Sequence, residues 1–379
     1  MSRLYIGEMA VSELVGRLGS PLYVYDEQRI RANVQRVFKA FRSRCDNFEL
    51  YYAIKSNSNL AIAAILVSEG CGLDTASINE IELANKLGVT GEQVLFTGNY
   101  LSDEDLQAAS QADAIINLDD AALFPRLAKI KVPETICFRI NPAIGKSNVG
   151  EEDVLAGVQA KFGIPFEQTA VAYKMARDAG VKKFGVHMMT GSCVTDPSYF
   201  EEITTRLMDI VGKTANELGI EFDFVNLGGG LGIPYEPDEA ELDIDKTASL
   251  VVSAFKNKCS EYSLQPPRLM MEPGRYLVGD AGFLLGKVHA IKESYRRFVG
   301  TDIGFNSLMR PTLYNAYHHI CVDGKAGNEV LQNITGQLCE NTDVWCVDRK
   351  LPELELGDLL MVEKVGAYGF CMSYPYNGR

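Results

Sequence analysis

The sequence has no hydrophobic run long enough to cross a bilayer: its longest apolar stretch, Leu60 to Val67, falls far short of the ~20 residues a spanning helix needs. Nor does the start, Met1-Ser2-Arg3-Leu4-Tyr5, carry an apolar signal region, so no membrane partner is expected. Positive charge is in deficit, with 37 Lys and Arg against 50 Asp and Glu and a formal charge of −13. That balance repels a nucleic-acid backbone or an anionic lipid surface while leaving room for a local cationic pocket. The nine cysteines, scattered from Cys45 to Cys371, include no CxxC pair. Neither a disulfide framework nor a thiolate metal site is expected; a reducing, cytoplasmic setting fits better. Internal repeats, low-complexity tracts and long linkers are absent as well.

What is present is an ordinary globular composition, 46% apolar and 23% charged over 379 residues, enough for one large domain and a smaller one. Short apolar or β-branched runs alternate with helical patterns, the signature of parallel β/α units. Eight strands are predicted: Leu50 to Lys55, Gly72 to Thr75, Val94 to Thr97, Ala114 to Asn117, Ile136 to Asn141, Phe184 to Met188, Phe224 to Leu227 and Leu269 to Glu272. That number closes a (β/α)8 TIM barrel. One helix marks its own ends, with a Ser77/Glu80 capping-box pattern, Ile81, Ala84 and Leu87 on one face and Gly88 as a left-handed stop. A second helix is predicted from Asp196 to Leu218. Past residue 280 the texture turns to strand-like runs, and Pro21-Leu22-Tyr23-Val24-Tyr25 reads as a strand joining them. The expected division is therefore an α/β barrel over 26–278 and a mostly β domain formed by 1–25 plus 279–379.

In such a barrel the catalytic groups gather at the C-terminal strand ends. The polar residues at those ends are Lys55, Asp74, Arg139 with Asn141, His187, Gly228-Gly229-Gly230, and Glu272 with Arg275. Each also has a structural reading: a surface lysine past a strand, a turn aspartate, an arginine in a buried ion pair, a core histidine. Their joint placement on one rim favours chemistry. A desolvated lysine amine can hold a cofactor aldehyde. Glycine amides in the runs 227–232 and 272–275 can cradle a phosphate without a cationic side chain. A carboxylate such as Glu272 can keep a pyridine nitrogen protonated, and lysine, cradle and carboxylate together describe a pyridoxal 5′-phosphate site.

From Pro21 to Arg379 the chain resembles the fold-type III pyridoxal-phosphate decarboxylases, nearest to their diaminopimelate-decarboxylating branch. The motifs that carry the likeness are Tyr52-Ala53-Ile54-Lys55-Ser56-Asn57, Phe138-Arg139-Ile140-Asn141-Pro142, Lys161-Phe162-Gly163-Ile164, Gly228 to Tyr235, Glu272 to Val278, Leu308 to Tyr314, Cys339-Glu340-Asn341-Thr342-Asp343 and Gly366-Ala367-Tyr368-Gly369. The resemblance implies a carboxy-lyase of amino-acid (lysine) biosynthesis, taking meso-diaminopimelate to L-lysine and CO2. It further implies a homodimer with shared active sites. Lys55 becomes the Schiff-base lysine, Glu272 the ring-nitrogen partner, and Ser192, Gly229, Gly230 and Gly274 the phosphate cradle, with Tyr368 beside it. Asp74, Arg139, Met189 and Arg275 join the cofactor site, His187 the catalytic group, and Tyr368 the substrate site as well. Arg275, Arg310 and Tyr314 become ligands of the substrate's distal carboxylate, Glu340 of its distal amine, and Cys339 the proton donor.

Two departures bear on these expectations. The family's sixth-strand motif is His-x-His-x-Gly-Ser, whereas this chain reads His187-Met188-Met189-Thr190-Gly191-Ser192, placing the thioether of Met189 where an imidazole normally stacks on the cofactor ring. The loop Gly145-Lys146-Ser147-Asn148-Val149-Gly150 lacks the family's histidines and Thr-Gly pair. These leave open a related decarboxylase of another substrate (ornithine or lysine, carboxynorspermidine, or a carrier-linked amino acid), a racemase, or a non-catalytic cofactor-binding protein. Relatives also continue past the position of Arg379 with a final strand and tail.

Overall fold

The protein, represented by a computed structural model, is described over residues 3–148 and 155–379. Val149 and Gly150 of the atypical loop lie outside the described residues.

Eight parallel strands form a closed ring: β1 (Phe48–Ala53), β2 (Gly72–Thr75), β3 (Val94–Phe96), β4 (Ile115–Leu118), β5 (Thr135–Asn141), β6 (Lys183–His187), β7 (Phe224–Asn226) and β8 (Arg268–Met271). Each pairs with the next, and β8 returns to β1 with Met271 opposite Leu50. All eight predicted strands are therefore present, with ends shifted by a residue or two. The strands read as nearly continuous apolar runs because both faces are covered. Inside the ring, Tyr51, Leu95, Ile115, Cys137, Phe224 and Met270 pack into one buried cluster. Gly185 on β6 leaves room for the Phe224 ring of the neighbouring strand, which occupies the space a Cβ would need.

The helices start and stop as their sequences dictate. Helix α1 (Ile78–Lys86) begins where Ser77 Oγ accepts the Glu80 amide at 3.3 Å. The reciprocal bond slips by one residue, with Glu80 Oε2 accepting from the Ala76 amide at 2.7 Å. Gly88, at φ +73°, turns the chain out. Helix α2 (Pro197–Leu218) is capped by Asp196, whose Oδ1 accepts the Ser198 amide at 3.0 Å, and ends at Gly219 in the left-handed conformation. Among the described residues no helix is long and apolar enough to cross a membrane.

The chain separates into two compact units, one of residues 31–233 and 240–276, the other of the chain up to Ile30, residues 234–239 and residues 277–379. The second is built on β9 (Gly282–Glu293), which pairs with the N-terminal strand Leu22–Tyr25, with β10 (Arg297–Thr301) and with β14 (Leu359–Val362). Strand β11 (Ile320–Val322) pairs with β14, while β12 (Glu329–Thr335) joins β10 and β13 (Val344–Pro352). Its core includes Leu284, Val299, Leu308, Ile334, Trp345 and Leu360.

Candidate active site

Lys55 stands two residues past the end of its strand. β1 stops at Ala53, and residues 54–56 make a 3-10 turn. Side chains tighten that turn: Ser56 Oγ donates to the Ala53 carbonyl and Tyr52 Oη to the Asn57 carbonyl, both at 2.8 Å. The turn lifts Lys55 off the barrel wall, leaving its side chain 48% exposed, while Nζ reaches Asp74 Oδ2 at 3.4 Å. Asp74 is buried at the end of β2, and among the described residues its Oδ1 has no hydrogen-bond partner.

Opposite charge logic governs the eighth strand end. Glu272 is buried, yet Oε2 meets His187 Nε2 at 3.1 Å and Oε1 accepts from Asn226 Nδ2 at 2.6 Å. Burial by itself would raise the Glu272 pKa, but His187, Lys55 and the Asn226 amide hold it below the ordinary carboxylate value. Asp74 goes the other way: burial first, then the field of Glu272, pushes it up to about 8 against the opposing pull of Lys55. Two carboxylates on one rim are thus driven apart, one ionised and one inclined to keep its proton, the arrangement that separates acid and base roles in enzymes. His187 Nδ1 is buried and unpartnered among the described residues.

Asn226 escaped the sequence reading because it looks like one more strand residue. Its Nδ2 fixes Glu272, and its Oδ1 accepts the Gly228 amide at 2.9 Å, tying carboxylate and glycine loop together.

The glycine loop is held by backbone. Val194 donates to the Gly230 carbonyl and Gly232 to the Val194 carbonyl, each at 2.9 Å. Gly228 and Gly230 have φ of +68° and +93°, and a Cβ on Gly230 would lie 2.9 Å from the Gly191 carbonyl oxygen. One on Gly229 would lie 2.6 Å from the Glu272 carbonyl, and one on Gly274 2.7 Å from Ser56. Arg275 and Ser192 are buried together, with Nη2 to Oγ 3.4 Å. Met189 packs on this loop, its sulfur accepting the Gly229 amide at 3.1 Å. One amide expected in the phosphate cradle is thereby engaged by the residue expected to stack on the ring.

Arg139 lies beside His187 in the β5/β6 register but points into a local network. Its Nε is 3.7 Å from Asp119, its guanidinium lies 4.5 Å from the centre of the Phe162 ring, and Nη2 donates to the Leu155 carbonyl at 3.3 Å. The buried ion pair that the sequence left open is present. Asn141 anchors the loop that follows, bonding Gly157 through both amide atoms and the Phe162 carbonyl.

The remaining candidates belong to the second unit. Arg310 and Tyr314 sit one turn apart on the short helix α3 (Arg310–Tyr314), hence on one face. Arg310 is buried, with its guanidinium 4.3 Å from the Tyr235 ring centre. Tyr368 adopts φ +57° in the turn 366–369. Cys339 and Glu340 are exposed on a turn organised by Asp343, whose carboxylate accepts the Phe305 amide at 2.7 Å and the Leu338 amide at 2.9 Å.

Residues 31–279 match the family model described as pyridoxal-dependent decarboxylase, pyridoxal binding domain. This chain belongs to the pyridoxal-dependent decarboxylases. Similarity extends over its full length: the diaminopimelate decarboxylase of Methanothermobacter thermautotrophicus is 43% identical, covering 99% of this chain and 88% of that protein. The one from Archaeoglobus fulgidus is 38% identical, covering 99% and 90%. Among solved structures, the M. jannaschii diaminopimelate decarboxylase in complex with L-lysine is 36% identical with a TM-score of 0.91, covering 100% of this chain and 89% of that one.

The site fits the cofactor of the family. Glycines at which a Cβ would strike Glu272, Gly191 or Ser56 bring the two glycine runs into close approach with their neighbours, giving bare backbone of the kind that binds a phosphate, and the buried Glu272 is held ionised, as a ring-nitrogen partner must be. The unpaired His187 Nδ1 and Asp74 Oδ1 leave polar capacity on the same rim.

Proposed function

We infer that this chain decarboxylates meso-diaminopimelate to L-lysine. The observation that carries the reading is the Asn226–Glu272–His187 cluster beside Lys55, together with full-length likeness to diaminopimelate decarboxylases, one of which is solved with L-lysine bound.

In this reading Lys55 would hold the cofactor aldehyde covalently, Gly229, Gly230, Gly274 and Ser192 would hold the phosphate, and Glu272 would keep a proton on the ring nitrogen. When bound, the cofactor supplies an electron sink for the pair left behind as CO2 departs. The protein chooses which bond breaks by orienting the substrate. A meso substrate that yields an L-product must lose the carboxylate of its D-centre, so the L-centre must be recognised and held. Arg275, Arg310 and Tyr314 suit its carboxylate, since a guanidinium forms parallel charge-assisted hydrogen bonds with that group. Glu340 suits its ammonium, and Cys339 is the proton donor to the reacting carbon. His187 buttresses Glu272, and Met189, seated against Gly229, would face the cofactor ring.

Cys339 and Glu340 are exposed on their own chain, which supports a homodimer in which Cys339 and Glu340 of the partner subunit complete each site. All nine cysteines are free, which supports a cytoplasmic setting.

The test is CO2 release from a panel of amino acids by protein saturated with pyridoxal phosphate. meso-Diaminopimelate should give the highest kcat/KM, and Arg310→Ala should lose most of it, by about a hundredfold or more for a charge-assisted carboxylate contact. Preference for a substrate with a single carboxylate would overturn the assignment.

A further inference from the structure

We propose that His318 is a positioning residue for substrate recognition, its neutral imidazole aiming the Arg310 guanidinium at the carboxylate retained in the product. The inference rests on the role given to Arg310 above.

Arg310 opens α3 and is only 1% exposed. A guanidinium taken that far from water needs partners of fixed geometry. Two such partners are the face of Tyr235 and His318, whose Nε2 lies 2.8 Å from Arg310 Nη1. Arginine only donates, so Nε2 must be the unprotonated acceptor. His318 Nδ1 lies 3.0 Å from the Glu363 carbonyl oxygen, which only accepts, so Nδ1 carries the hydrogen. The two contacts together select one neutral tautomer, and the backbone at Glu363, just past β14, fixes the ring. Tyr235 closes the cluster by packing edge-on against His318, centroids 5.3 Å apart at 83°.

The choice of a neutral acceptor has a functional consequence. An aspartate or glutamate in that place would orient Arg310 while cancelling part of its charge. A neutral imidazole orients it without itself cancelling that charge. His318 therefore acts through Arg310 without touching substrate, and its removal should weaken recognition more than chemistry.

Two substitutions separate this from a scaffolding role. In His318→Gln the side-chain amide reaches the place of Nε2 and can still accept from Arg310; in His318→Asn it reaches the place of Nδ1, keeping the Glu363 bond and abandoning Arg310. With the cofactor-saturated enzyme, KM for meso-diaminopimelate and the inhibition constant of L-lysine should both rise about tenfold in His318→Asn, since one charged hydrogen bond is worth that much. Its kcat should stay within about threefold, and His318→Gln should keep both constants within about threefold of the parent, well inside one such bond. Equal rises in the two variants, or a fall in kcat and Tm at unchanged KM in His318→Asn, would make His318 a scaffold residue and overturn the proposal. Should His318→Asn fail to fold, a tenfold KM rise in His318→Gln would be equally fatal. Arg310→Lys, assayed alongside, keeps the two ideas apart: unchanged KM there would remove Arg310 from carboxylate binding, whereas raised KM there with unchanged KM in His318→Asn would reject only the positioning role.

Discussion

Asp74 and Glu272 illustrate how little the identity of a residue says about its proton. Both are buried carboxylates at barrel strand ends, yet Glu272 has an imidazole and an amide on its oxygens while Asp74 has one lysine contact and an unpaired Oδ1. Burial and Glu272 lift Asp74 from its ordinary value to about 8. A folded-state pKa above the unfolded one means that the folded protein binds the proton more tightly. The associated stability is therefore full below the unfolded value, near 4, and is lost as pH rises toward 8. In protein stripped of cofactor, Asp74→Asn should remove that decline, so that the variant gains on the parent by about 2 kcal/mol or more between pH 4 and pH 8, each tenfold in proton affinity being worth about 1.4 kcal/mol. Urea melts of both proteins across that range check it; parallel pH profiles would show that Asp74 does not take up a proton on folding. Which carboxylate would hold a proton was not legible in the sequence. It depends on Asn226 and His187, 46 and 85 positions away from Glu272, brought to it by strand register.

At the scale of elements, the sequence revealed more. Strand runs, the Ser77 cap and the left-handed stop at Gly88 are local signals, and the structure has strands and helix where they point. What local pattern could not show is where backbone meets backbone. Gly230 and Gly219 both have positive φ, but Gly219 ends α2 in open space while Gly230 lies against the Gly191 carbonyl. Gly219→Ala should therefore cost about 1 kcal/mol, the conformational penalty alone, and leave cofactor binding intact. Gly230→Ala should cost about 2 kcal/mol or more and weaken the protein's affinity for pyridoxal phosphate, because the loop must shift away from residues 191–194. Thermal melts and a cofactor titration would check both, and equal effects at the two sites would contradict the account. The same limit explains Lys55, read as the last residue of a strand but carried on a turn fixed by Tyr52 and Ser56, and Arg139, whose partner Asp119 gave no motif to notice.

For the whole molecule, the ordered motifs from Tyr52 to Gly369 made the family legible, because their residues and order are shared along the full chain rather than at one site. His318, four residues past the Leu308 to Tyr314 motif, was not singled out, since its significance is a tautomer selected by two contacts rather than a spacing. The chain's many lysines are alike in sequence; among the described residues only Lys55 combines a rim position, a buried carboxylate partner and a neighbouring glycine loop. The most direct measurement is to reduce the cofactor-loaded protein with borohydride, digest it and map the modified lysine by mass spectrometry, with Lys55→Ala in parallel. The account predicts a phosphopyridoxyl group on Lys55 and loss of the visible absorbance band in the variant. A cofactor fixed to another lysine, or an unchanged band in Lys55→Ala, would contradict it.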